Sequence, residues 1–371
     1  MVYKVPFVNY PEHYRRMWNE VIGAISEALS KGDLLLRGQL KQFEADIASF
    51  VGAKYAVGLN SGTDAMLLSL KAAGVGAGDE VITVAHTFVA TITCIVQCGA
   101  TPILVDIKED MNMDVEQVEQ KISPKTKAIM PVHLNGRLCN MEKLMKIADE
   151  HNLIVIEDAA QALGGSFNGK KAGSFGLTGC FSLYPAKILG AAGDGGFLTT
   201  NSEEIDEKIR LLRDHGQERK TGKILFYGFN SRLDNIQAAI LNVKTKYLSE
   251  WIEKRREIAK IYHEKLSDIA EVKLPPPPTT SGPYYDVYQN YVIRIKERDE
   301  LVEFLEKNGV ETIVSWRIPN HLHPALNLNR FSLPMTEKLS NEVVSLPVFP
   351  ELTDEQVQYV IEVIRDFYQH K

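Results

Sequence analysis

Lys187 stands in the stretch CFSLYPAKILGAAGDGG (180–196), after a strand-like FSLY and before a run of small residues and glycines. A lysine on such a tight loop can be shielded from water. Shielding lowers its pKa and frees the amine to condense with a carbonyl group as a Schiff base. The same residues also fit a surface lysine beside a flexible loop. In LIVIEDAAQALGG (153–165), two acids, Glu157 and Asp158, end an apolar, strand-like run. A carboxylate buried there needs a charged partner, and a protonated pyridine nitrogen is one. On this segment alone, capping a following helix suits Asp158 equally well. GLNSGTDAM (58–66) ends a strand and opens a helix. Backbone N–H groups there, beside the Ser61 and Thr63 hydroxyls, can hold a phosphate, although SGTD is also an ordinary helix cap. HTFVAT (86–91) offers Phe88, either as a plate for a flat ring or as a core side chain.

Together these pieces outline a phosphate cradle, an aromatic plate, a ring carboxylate and a reactive amine. The elements around them alternate. Strand patterns YAVGLN, EVITVA, TPILVDI, KAIMPVHL and LIVIEDA are separated by helical patterns GTDAMLLSLKAAG, TFVATITCIVQCG, DVEQVEQKIS and NMEKLMKIADEHN. That order predicts an α/β fold with a mainly parallel central sheet covered by helices on both faces. Ligand sites in such sheets lie at the carboxyl ends of strands, where these motifs fall. Two amphipathic helices precede the sheet, near 11–31 and over GQLKQFEADIASFVG. Residues 236–267 read as one long helix, followed by the stiff connector Pro275–Pro278. A strand (QNYVIRI) and two helices then form a smaller C-terminal α/β domain. The expected division is a large domain over 1–240 and a small one over 241–371, joined through the long helix.

Bulk properties exclude several function classes. The chain has 371 residues, 44% of them hydrophobic, and a net charge of −6 with no dominant basic block. That argues against nucleic acid as a partner. No charged-then-apolar leader opens the chain, and its apolar runs are too short to cross a bilayer. A soluble, cytoplasmic protein is expected, with no membrane partner. The four cysteines, Cys94, Cys98, Cys139 and Cys180, lack disulfide or metal spacing, so no metal is expected. No G-x-G-x-x-G follows a strand, which argues against a nicotinamide dehydrogenase.

The blocks LRGQLKQFEADIASFVGAKYAVGLNSGTDAM, GDEVITVAHTFVAT, VIEDAAQALGG, FSLYPAKILGAAGDGG, GFNSRLDNIQAAIL and VVSLPVFPELT, in that order, resemble the DegT/DnrJ/EryC1/StrS sugar aminotransferases over nearly the whole chain. The resemblance implies a type I aspartate-aminotransferase fold, pyridoxal 5′-phosphate as cofactor, and a homodimer with active sites at the interface. It implies that Lys187 is the Schiff-base lysine and Asp158 the pyridine-nitrogen carboxylate, with Gln161 near the ring hydroxyl. Gly62, Thr63 and Ser182 match the phosphate site, Phe88 the stacking aromatic, and Asn230 an asparagine supplied to the neighbouring subunit's phosphate. Tyr184, Arg232, Asn135, Arg317 and His321 fall where the sugar substrate is expected.

NSRLD resembles the branch that aminates C3 of a 3-keto sugar nucleotide. RDHGQERK resembles enzymes acting on UDP-linked sugars. A UDP-linked 3-keto sugar is therefore the expected substrate, a dTDP-linked one the next, with L-glutamate as amino donor. A 4-keto sugar nucleotide or cyclitol aminotransferase, or a non-catalytic scaffold on this fold, are the alternatives. The chain departs from the family at Asn135, where Tyr is usual, and at Arg317 and Asn320, where Pro and Leu are usual. His321 keeps the family's histidine.

Overall fold

The computed structural model describes residues 3–369. Helices α1 (Tyr10–Ser30) and α2 (Gly38–Val51) lead into β1 (Tyr55–Leu59), α3 (Gly62–Ala72), β2 (Glu80–Val84), α4 (Val89–Gln97), β3 (Thr101–Val105), β4 (Thr126–Ile129), α5 (Met141–Glu150) and β5 (Ile154–Asp158). Two short strands, β6 (Ser166–Phe167) and β7 (Lys170–Lys171), precede β8 (Thr178–Ser182), β9 (Gly196–Thr200) and α6 (Glu203–Leu212). A small arm pairs β10 (Gln217–Glu218) with β11 (Lys223–Ile224), and α7 (Asn235–Thr245) and α8 (Leu248–Leu266) follow. The C-terminal part holds β12 (Tyr284–Tyr285), β13 (Tyr291–Arg294), α9 (Arg298–Lys307), α10 (Pro334–Glu342), β14 (Val343–Leu346) and α11 (Asp354–Gln369).

Seven strands form the main sheet in the order β1-β9-β8-β5-β4-β2-β3. From β8 to β3 all neighbours are parallel, whereas β9 runs antiparallel between β1 and β8. This is the expected α/β architecture. The strands are apolar along nearly their whole length because helices cover both faces. One face carries Phe43, Ile47, Leu144, Leu241 and Trp251, and the other carries Leu67, Leu68, Ile95 and Ile209. Local chemistry sets the helix starts: Asn9, Ser61, Asn140 and Ser202 each accept a backbone N–H from the first turn. Gly52, at φ +83°, ends α2 in the left-handed conformation that favours glycine.

A separate core gathers Ile258, Tyr262, Tyr291, Leu301, Val344 and Ile361 around β13, β14 and α11. The change of core falls within α8, because Trp251 and Ile252 pack with the large sheet while Ile258 and Tyr262 do not.

Three sequence expectations change. The long helix over 236–267 is two helices, since the chain tightens to i→i+3 bonds at Lys246 and Tyr247. DVEQVEQKIS forms two 3-10 turns, Val115–Gln117 and Glu119–Lys121, instead of an α-helix. Only Val115 and Val118 of it are buried, and this i, i+3 pair lies on one face of a three-residue turn. The segment after β5 is not a helix, so Asp158 is no helix cap.

Candidate active site

The carboxyl ends of four strands converge on one cleft of about 580 Å³. β1 delivers Ser61, Gly62 and Thr63, β2 delivers Thr87 and Phe88, β5 delivers Asp158, and β8 delivers Ser182 with Tyr184 and Lys187 on the loop beyond. Segments remote in sequence thus meet because a parallel sheet aligns its strand ends.

Adjacent strand residues point to opposite faces, and this separates the two acids of β5. Glu157 is fully buried away from the cleft. It accepts backbone N–H bonds from Gly173, Phe175 and Gly176, and it meets His133 Nε2 at 3.0 Å. Because His133 Nδ1 accepts from the Cys139 N–H, its proton must sit on Nε2 and point at Glu157. Asp158 faces the cleft. Its Oδ2 accepts from Thr91 Oγ1 at 2.7 Å, and its Oδ1 from the Ala160 N–H at 3.2 Å. Thr87 Oγ1 lies 2.8 Å from Thr91 Oγ1. Since the Thr91 proton goes to Asp158, Thr87 is the donor of that pair. Burial raises the Asp158 carboxyl above its ordinary value, and these hydrogen bonds and the charge of Lys187 only partly offset it.

Lys187 is half-buried, and its loop turns back at once: its N–H donates to Tyr184 O at 2.8 Å. Burial pushes its amine down to about 8, against the pull of Asp158. The surface-lysine reading is thereby set aside. A neutral amine is the nucleophile, so cofactor uptake by the cofactor-free protein should accelerate as pH rises through about 8. Below that point the rate should climb about tenfold per pH unit, and above it level off. Stopped-flow absorbance measures this. A rise that begins only in the ordinary lysine range would show that the amine is not shielded.

At the far end, the first N–H groups of α3, at Gly62 and Thr63, have no helical carbonyl to bond. They face the cleft beside the Ser61 and Ser182 hydroxyls. Ser61 Oγ also caps α3 by accepting the Asp64 N–H at 3.1 Å. The turn thus caps α3 while its first N–H groups stay at the cleft. A Cβ on Gly62 would come within 2.9 Å of Ser182 Cβ and 3.0 Å of its Cα. Gly62→Ala is therefore expected to push this turn off β8. Overpacking of that kind costs about 1–3 kcal/mol, and a misplaced anion site should weaken cofactor binding about tenfold or more. Thermal melting and cofactor titration check the two effects separately.

The donor set fits a flat, phosphorylated pyridine. The helix start suits its phosphate, and the buried Asp158, bonded so far by neutral donors, suits a ring N–H⁺. Phe88, 63% exposed at the cleft wall, is no core residue and has a free face for the ring. Gln161 Oε1 accepts the Asn135 N–H at 2.8 Å, which leaves the Gln161 amide N–H groups for the cleft.

The structure thus brings Gly62, Thr63, Phe88, Asp158, Gln161, Ser182, Tyr184 and Lys187 together. Five other residues singled out in the sequence lie outside this chain's cleft. Asn230 is exposed and bridges to Asp214, and Arg232 pairs with Asp214 at 3.0 Å. Asn135 stands behind Gln161, in the left-handed region at φ +58°, against Asn290. Arg317 is exposed and bonds Asp299 at 2.7 Å. His321 is fully buried and meets Glu337 at 3.1 Å. Sequence reasoning missed Thr87, Thr91 and His133. The two threonines stand one helical turn apart around Phe88, and that spacing is the signal that marks them.

The sequence profile of the DegT/DnrJ/EryC1/StrS aminotransferase family matches residues 16–365. The chain is 44% identical to a pleiotropic regulatory protein of Geobacillus stearothermophilus, over 99% of each. It is 40% identical to the dTDP-3-amino-3,6-dideoxy-alpha-D-galactopyranose transaminase of Aneurinibacillus thermoaerophilus, over 98% of this chain and 99% of that one. It is 38% identical to the UDP-N-acetyl-3-dehydro-alpha-D-glucosamine 3-aminotransferase of Acidithiobacillus ferrooxidans, over 97% of each. Among solved structures, DesV of S. venezuelae in complex with a ketimine intermediate superposes with a TM-score of 0.94, at 37% identity and 98% of both chains.

Proposed function

The chain belongs to the DegT/DnrJ/EryC1/StrS aminotransferase family and is a pyridoxal-phosphate-dependent sugar aminotransferase, and on that premise we propose that it aminates C3 of a UDP-linked 3-keto sugar with L-glutamate as donor. The observation that carries the reading is the buried Asp158 facing the same cleft as the shielded amine of Lys187. Relatives named as 3-amino sugar transaminases, one UDP-linked and one dTDP-linked, support amination at C3. The NSRLD stretch favours amination at C3 and the RDHGQERK stretch the UDP-linked sugar, and the dTDP-linked relative keeps that second substrate in view.

When bound, the cofactor supplies a ring that takes up the electron pair left when the donor loses its α-proton. The chain's own residues do the rest. Lys187 Nζ holds the proton in transit, because an amine near pKa 8 can both accept and return it around neutral pH. Asp158 keeps the ring nitrogen protonated, and Thr91, itself bonded by Thr87, fixes the carboxylate's orientation. Gln161 turns its N–H groups toward the ring hydroxyl because Asn135 occupies its oxygen. Gly62, Thr63 and Ser182 hold the phosphate, Phe88 covers the ring, and Tyr184, 54% exposed at the cleft, meets the sugar.

A second copy completes the site. Trp18, Ile22 and Leu29 of α1, with Leu34 and Leu35 after it, expose a row of apolar side chains, and Tyr227 beyond the β10–β11 arm is 99% exposed. Apolar surface of this extent suits burial against a partner. Asn230 and Arg232, beside that arm, are the residues assigned to the second copy's cleft. His321, Asn135 and Arg317 are the remaining residues assigned to the sugar side. Among the described residues no helix is long and apolar enough to cross a membrane.

Absorbance spectroscopy of the cofactor-loaded protein, mixed with UDP- and dTDP-linked 3-amino and 4-amino sugars, tests the substrate. The 3-amino sugars should change the spectrum, and the UDP-linked ones at the lowest concentration. A change with 4-amino sugars alone overturns the carbon position. A change with dTDP-linked sugars alone overturns the nucleotide.

A further inference from the structure

Lys244 is more deeply buried than Lys187, and nothing in the mechanism above uses it. It is 2% exposed and lies near the end of α7. Its Nζ donates to Gly190 O at 2.5 Å and lies 5.2 Å and 5.7 Å from the Tyr14 and Trp251 ring centroids. Glu351 pulls on it from a distance, but that carboxylate is itself bonded to His13 at 2.8 Å. Burial pushes the Lys244 amine down to about 7. Burying an amine without a paired carboxylate is costly, and an apolar side chain of similar length would fit this core more cheaply. Its one hydrogen bond among the described residues is to a carbonyl three residues beyond Lys187.

That carbonyl belongs to a tightly folded loop. Gly190 has φ +52°, and a Cβ there would lie 2.4 Å from Pro185 O and 3.2 Å from Lys187 O. Gly190 therefore sits directly against the residues that carry the reactive amine, so displacing one displaces the other. Gln237 stands seven residues before Lys244, on the same face of α7. Its Oε1 accepts the Ala192 N–H at 2.9 Å. From the opposite side, Gln289 donates to Ala186 O at 2.8 Å. One helix face thus holds the loop at two points after Lys187, and Gln289 holds it at the residue before.

We infer that Lys244 is a positioning residue: through Gly190 O it fixes the backbone of the Lys187 loop and so aims the Lys187 amine into the cleft. The inference rests on Lys187 being the reactive amine, but its first test does not. Lys244→Met keeps the length and removes the donor. In the cofactor-free variant, amide hydrogen exchange within 183–192 should accelerate about tenfold or more, while exchange in the sheet core stays unchanged. In the loaded enzyme, kcat should fall on the order of 10²-fold with KM for the amino donor held, as expected when a reacting group is misplaced rather than lost.

A Lys244→Met protein that folds and keeps wild-type exchange in 183–192 overturns the inference. So does faster exchange spread evenly through the core, which would mark a purely structural lysine. If Lys244→Met does not fold, Gln237→Leu, which cuts the neighbouring tie, must accelerate the same segment, and unchanged exchange there refutes the claim. Lys187→Ala should leave loop exchange slow, so a failure of the Lys187 assignment would not be mistaken for a failure of this one.

Discussion

Lys187→Ala is expected to lower turnover by at least about 10⁴-fold, because it removes the covalent anchor and the proton carrier in one change. The protein should still fold. Lys187 makes no ion pair among the described residues, and its loop is tied by Lys244, Gln237 and Gln289 through backbone groups that the substitution leaves in place. Cofactor should still enter, since the α3 start, Phe88 and Asp158 are untouched, but borohydride should no longer fix it to the chain. Mass spectrometry after reduction reads this directly. A reduced adduct of unchanged mass and yield would move the reactive amine to another residue. Lys244, whose amine burial pushes down to about 7, would be the first to examine.

Asp158→Asn should cost about 10³-fold in kcat, the scale on which a preorganised charge acts in a site closed to water. Its structural effect should be small. Asn is nearly isosteric, its oxygen can keep the Ala160 N–H, and the Thr91 hydroxyl can turn to accept from the new amide. The sign of the stability change follows from the raised carboxyl pKa. A buried carboxylate with a raised folded-state pKa opposes folding once pH exceeds the unfolded value, and the full penalty is present above the folded one. Near neutral pH the cofactor-free variant should therefore melt no earlier than wild type, and it should lose the pH dependence that this group imposes. Activity collapsing while stability holds separates a charge acting on the cofactor from a structural acid. If Asp158→Asn melts well below wild type, Asp158 is holding the fold instead.

Much of this site was legible because its parts are local. The SGT turn, Phe88, Asp158 and Lys187 each belong to a strand-to-loop junction, and a parallel sheet brings such junctions together without needing their distances in advance. What failed to show depends on contacts between distant segments. The partner of Arg317 is Asp299 on α9, and that of His321 is Glu337 on α10. Neither pairing has a sequence signature, and neither side chain lines the cleft in one copy of the chain. The roles of Glu157 and Asp158 could be divided only once the alternation of β5 was seen against the Gly173–Gly176 turn. The long helix over 236–267 was misread because its apolar spacing runs through the break at Lys246–Tyr247 without interruption. The DVEQVEQKIS turns follow from Asp114, which accepts from the Glu116 N–H and from the Gln117 side chain, bonds that compete with a regular helix.

The antiparallel β9 carries a consequence for how the protein is made. It pairs Gly196 with Leu59, and a Cβ on Gly196 would lie 2.2 Å from the Ser61 carbonyl carbon. The turn proposed to receive the phosphate is therefore braced by a strand that leaves the ribosome long after it. A nascent chain that stops short of β9 has the SGT sequence but no wall behind it. Acquisition of the coloured cofactor would then mark the moment the sheet is complete, which makes the protein's own chromophore a clock for its synthesis and refolding.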